Sequence, residues 1–94
     1  MPWNTVTMPG IQSAMTLCDH MGLDLFRNLY GTFQAAHDVH MYWYGRGPYE
    51  ARPLLAAAYS HLFPSSPHIQ PNNFANNDAH NFLVNNFGFE MRNI

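Results

Sequence analysis

Between Gly22 and the stop signal Gly45-Arg46-Gly47-Pro48 lies a run, Leu23–Tyr44, that is apolar on almost every side. It constrains the fold more than any other stretch. Read as one helix, it has plausible ends. Asp24 caps the start or sits in the first turn, where a carboxylate suits the helix dipole. Glycine suits the left-handed position just past a helix, and proline cannot continue one. One face then carries Phe26, Tyr30, Phe33, His37, His40 and Tyr44, and a neighbouring face carries Leu25, Leu29, Thr32, Ala36, Val39 and Trp43. Only Arg27, Gly31, Gln34 and Asp38 make a thin polar line. A surface helix of a monomer has a broad polar face, so this one is expected to be enclosed.

The flanking segments read as shorter helices. Pro9 suits the first position of a helix over residues 9–21, with Ile11, Ala14, Met15, Cys18 and Met21 as its apolar stripe. Pro53 fits the first turn of a helix over 51–63, with Leu54, Leu55, Ala58, Tyr59, Leu62 and Phe63 inward and Pro64 as its stop. Asn77 caps a short helix over 78–86, with Phe82, Leu83 and Phe87 inward and Gly88 after it. Phe89-Glu90-Met91 then reads as an apolar extension that docks on a neighbour. The expected fold is all-α: three to four short helices around one central helix, with extended N- and C-terminal arms. Residues 1–94 form a single small domain, with an extended arm over 1–8, a Pro-rich connector over 64–72 and an Asn/Phe-rich tail over 73–94.

Composition sharpens the enclosure argument. Charged residues are 11% and aromatics 15% of the chain, against roughly a quarter charged in an average soluble protein. Lys is absent, and the fixed positive charges are Arg27, Arg46, Arg52 and Arg92. Interface centres are poor in Lys, Glu and Asp and rich in aromatics, Met and Arg. GC-rich codon usage explains missing Lys but not the shortage of acids. The net charge of −2 disfavours nucleic acid, because neutralising phosphates takes clustered Lys or Arg. No transmembrane span is convincing: the charge-free run over 53–77 is interrupted by prolines, and Arg27 and Asp38 are costly in lipid. The N-terminal stretch has no basic region and resembles neither a signal peptide nor a presequence.

Motifs for chemistry are weak. His37-x-x-His40 puts two imidazoles on one side of a helix, the best metal candidate, yet no third ligand is fixed nearby. Glu50 and Glu90 have no His three residues on, so the di-iron pattern fails. Cys18-Asp19-His20 points its side chains about 100° apart in a helix, against a Cys–His pair. Ser60-His61 lacks a nucleophile elbow. Met41-Tyr42-Trp43-Tyr44 cannot all face one planar ligand and suits interface anchors better.

The expectation is therefore a non-catalytic accessory subunit in a permanent multi-protein assembly, with no cofactor and with other protein subunits as partners. Trp3, Leu29, Val39, Tyr42, Trp43, Tyr44, Phe87 and Phe89 are its interface anchors. Small size, few charges and high aromatic content associate it with respiratory or other membrane-associated energy-converting complexes, hence with the mitochondrion. A viral capsid accessory protein is a second version. A small His-dependent metal or cofactor binder is the alternative from another class.

Overall fold

A computed structural model describes residues 6–30, 39–65 and 76–93. In chain order, α1 (Met8–Met21) and α2 (Leu23–Tyr30) precede a hairpin of β1 (Val39–Trp43) and β2 (Arg46–Tyr49). Then come α3 (Ala51–Leu62), α4 (Asn76–Phe87) and β3 (Glu90–Asn93). The all-α expectation is thus corrected. Among the described residues, four helices accompany a three-stranded antiparallel sheet of order β2-β1-β3.

The error sits in the run Leu23–Tyr44. Its first part is helical, residues 31–38 lie outside the described residues, and Val39–Trp43 is a strand. The β-branched and aromatic residues Val39, Tyr42 and Trp43 favour strands. Alternation along β1 buries Met41 completely and sets His40 and Tyr42 on the opposite face. A short apolar run fits both the helical and the strand period, and here the hairpin decides. Tyr44 and Gly45 make its turn with positive φ. Gly47, also at positive φ, lies under the Tyr42 ring. A Cβ there would sit 2.7 Å from Tyr42 Cδ2 and 2.9 Å from the Met41 carbonyl oxygen. Gly45–Pro48, expected only to stop a helix, instead closes the hairpin and supplies most of β2.

The expected C-terminal arm is also corrected. α4 ends in a left-handed glycine cap: Gly88 takes φ 75°, its N–H donates to Val84 O and the Phe89 N–H donates to Leu83 O. The turn buries Phe89 and aims β3 back along β1, with His40 opposite Arg92 and Met41 opposite Met91. At the other end Val6, within the expected 1–8 arm, is part of the core, while residues 1–5 lie outside the described residues. The 64–72 connector is described only through Ser65.

The enclosed helix is α3. Every residue from Pro53 to Tyr59 is buried. Three alanines in succession let neighbours approach on several sides, and α1 packs most extensively along it. The core joins Ile11, Ala14, Met15 and Cys18 of α1 and Phe26 of α2 with Leu54, Leu55 and Ala58 of α3. Ala79, Leu83, Met41, Tyr49 and Phe89 complete it from α4 and the sheet side. Each fully buried leucine contributes roughly 1.5–3 kcal/mol relative to exposure.

Candidate functional site

The expected interface anchors divide sharply. Trp43 is half-buried, and its indole N–H donates to the Phe87 carbonyl at 2.8 Å, fastening β1 to the end of α4. Its ring centroid lies 6.4 Å from that of Phe89, which is buried. Phe87 is half-buried edge-on to Phe82, with centroids 5.4 Å apart. These three serve the chain's own packing. Tyr42 lies on the outer face of the sheet under the Arg92 guanidinium, whose carbon is 4.4 Å from the ring centroid. Leu29 and Tyr44 stay outside, at 60% and 82% exposure. Trp3 lies outside the described residues, as does the Val39 side chain.

The metal reading loses its geometric basis. His37 lies outside the described residues, and His40 stands on a strand. The i, i+3 rule that aligned the pair belongs to helices, whereas strand neighbours alternate faces. Among the described residues no three His, Cys, Asp or Glu side chains come together to hold a metal. Cys18 is buried, and burial, followed by the nearby Asp19 and Glu50 carboxylates, pushes its thiol up to about 11. At neutral pH it is a protonated core thiol with little nucleophilicity.

Two polar features went unseen in the sequence. Asp19 at the end of α1 accepts from Arg46 Nη2 at 2.8 Å and from the Tyr49 hydroxyl at 2.9 Å, tying the helical layer to β2. Burial and the Asp19 carboxylate push Tyr49 up to about 12. Nothing local announces this cluster, since its partners lie 27 and 30 residues apart. On β3, Arg92 donates twice to Glu90 at 3.2 Å, and that bond holds the Glu90 carboxyl below its usual range. Met91 between them is 48% exposed. With one apolar side chain in four residues, Glu90–Asn93 carries no alternation that marks it as a strand.

An open cavity of about 630 Å³ also runs beside α1, lined by Gln12, Ser13, Thr16, Leu17, His20 and His61 with Pro9 at one end. Its described lining mixes hydroxyl, amide and imidazole groups, with no carboxylate and no fixed positive charge among the described residues, so it offers no phosphate cradle.

Comparison with curated proteins and with solved structures gives no match. One family model matches residues 4–93, nearly the whole chain, under the description ScoMcrA-like, N-terminal head domain. That match overturns the expected accessory subunit of a respiratory or other energy-converting complex, together with its mitochondrial placement and its capsid version. By this match the chain belongs to the ScoMcrA-like N-terminal head domain family.

Proposed function

We propose that this domain is a non-catalytic head module of a DNA-modification-dependent, restriction-type protein, and that the module itself faces protein rather than DNA. The family name supports the first half, since the ScoMcrA-like description implies a relation to restriction of modified DNA. The second half rests on the state of the arginines. Affinity for the phosphate backbone comes from clustered cations that displace counterions. Here Lys is absent and the net charge is −2. Arg46 and Arg92, on the two outer strands, are each in an ion pair, with Asp19 and Glu90 respectively. Arg52 at the start of α3 is half-buried. In such a protein the task of contacting DNA falls to other parts, and the head contributes a docking surface.

Support for the non-catalytic role comes from the same inventory. The one thiol is buried and protonated, so no activated cysteine nucleophile is present. The test is a titration of labelled duplex DNA, plain and modified, with the 94-residue chain at low salt. Non-specific binders show dissociation constants of about 10⁻⁴–10⁻⁶ M. The expected result is no saturable anisotropy change across that range. Saturable binding that weakens steeply with added salt would overturn the protein-facing half of the proposal.

A further inference from the structure

The sheet has two edges, and they differ in what they offer. β2 contains Gly47 and Pro48. Proline has no N–H to give a further strand, and proline on an edge discourages strand addition. β3 contains neither. Its residues Glu90, Met91 and Arg92 are all exposed, and one side of the strand is paired with β1 while, among the described residues, the other forms the sheet edge. A strand presents outward N–H and C=O groups along such an edge.

The side chains on this edge are complementary to themselves. In an antiparallel pair of two β3 strands, a two-fold axis through Met91 sets Glu90 of each copy opposite Arg92 of the other. A two-fold axis through Glu90 would oppose two carboxylates, and one through Arg92 would oppose two guanidinium groups. Opposite charges facing each other across a ladder are stabilising, and like charges are destabilising. The Met91-centred register also brings the two half-exposed Met91 side chains together. These lie on the same sheet face as Met41, which is fully buried, so the pairing extends an apolar surface that already exists.

We propose that β3 is a self-association edge, on which a second copy of this chain adds its own β3 in the antiparallel register centred on Met91. Two three-stranded sheets then become one continuous sheet, with β2 capping both far ends. The inference rests on the protein-facing role proposed above and names the partner as another head.

Sedimentation of the 94-residue chain from about 10 µM to about 1 mM tests it, a range suited to weak, small-area association. The wild-type chain is expected to show a reversible monomer–dimer equilibrium. Glu90→Arg and Arg92→Glu each place like charges opposite one another, and each is expected to raise the dissociation constant about tenfold or more. An equimolar mixture of the two variants again sets every arginine against a glutamate, so association is expected to return in the mixture. Far-UV circular dichroism confirms that each variant is folded. Amide exchange at residues 90–93 is a readout that needs no variant and is expected to slow as concentration rises. A wild-type chain that stays monomeric overturns the proposal, as does a dimer untouched by either reversal or unrestored by mixing. Monomeric behaviour without DNA binding removes this inference alone; salt-dependent DNA binding removes the protein-facing reading on which it rests.

Discussion

β2 and β3 flank the same central strand, yet their side chains are used in opposite ways. From β2, Arg46 and Tyr49 both reach Asp19 on α1, and Tyr49 is buried in the core. Gly47 and Pro48 shape the rest of that strand and leave little edge to extend. From β3, Glu90 and Arg92 bond to each other on the surface, with Tyr42 beneath the guanidinium. The first strand spends its polar groups on holding two layers together. The second keeps its polar groups on the outside, where another chain can meet them. Strands of similar length in one sheet can thus divide the work between stability and association.

The largest expected break in this comparison comes from Gly47→Ala. The new methyl group would press on the Tyr42 ring and the Met41 carbonyl, at a φ of 151° that residues with a Cβ avoid. A loss of about 3 kcal/mol is expected from overpacking and strain together, measured by urea denaturation.

Alkaline titration reads the Asp19 tie on the β2 side. Tyr49 ionises near 10 when unfolded and only at about 12 when folded. The folded state therefore holds its proton longer. Its contribution is fully present below pH 10 and is lost as pH rises from about 10 to about 12. Phenolate absorbance should show one tyrosine titrating late. In Asp19→Ala that delay should shorten, with a stability loss of about 1–2 kcal/mol from the hydroxyl's lost acceptor. The exposed Arg46–Asp19 pair should add little to that loss.

The smallest effect is expected on β3. Met91→Thr removes an exposed thioether and retains a strand-favouring side chain. Monomer stability should change by no more than about 0.5 kcal/mol. A loss several times larger, seen in thermal unfolding at low concentration, would show that β3 matters to the fold as β2 does.

Several elements were legible in the residues. α1, α3 and α4 lie close to where Pro9, Pro53, Pro64 and Gly88 placed them, because proline and glycine act on the backbone within one turn. The inward residues Ile11, Met15, Leu54, Leu55 and Leu83 follow from helical spacing and are buried. The expected interface was less legible. Trp43 and Phe87 look like anchors by type, but Trp43 donates its N–H to the Phe87 carbonyl. Aromatic character shows that a residue seeks burial without showing whose surface supplies it. Among the anchors whose side chains are described, only Leu29 and Tyr44 are strongly exposed, and Leu25, one turn before Leu29 and not among the expected anchors, is 51% exposed.

By itself, then, the sequence determined that the chain is helix-rich, short of cations and punctuated at Gly22, Gly45–Pro48 and Pro64. Those properties are local or additive, so no partner segment is needed to read them. Tertiary structure alone decided that Val39–Trp43 is a strand, that Glu90–Asn93 pairs with it across half the chain, and that Asp19 joins Arg46 and Tyr49. A strand satisfies its backbone only through another strand, and an ion pair exists only where folding brings its two ends together. The same five residues, Val39–Trp43, fit a helix in isolation and became the centre of a sheet once β2 and β3 were beside them.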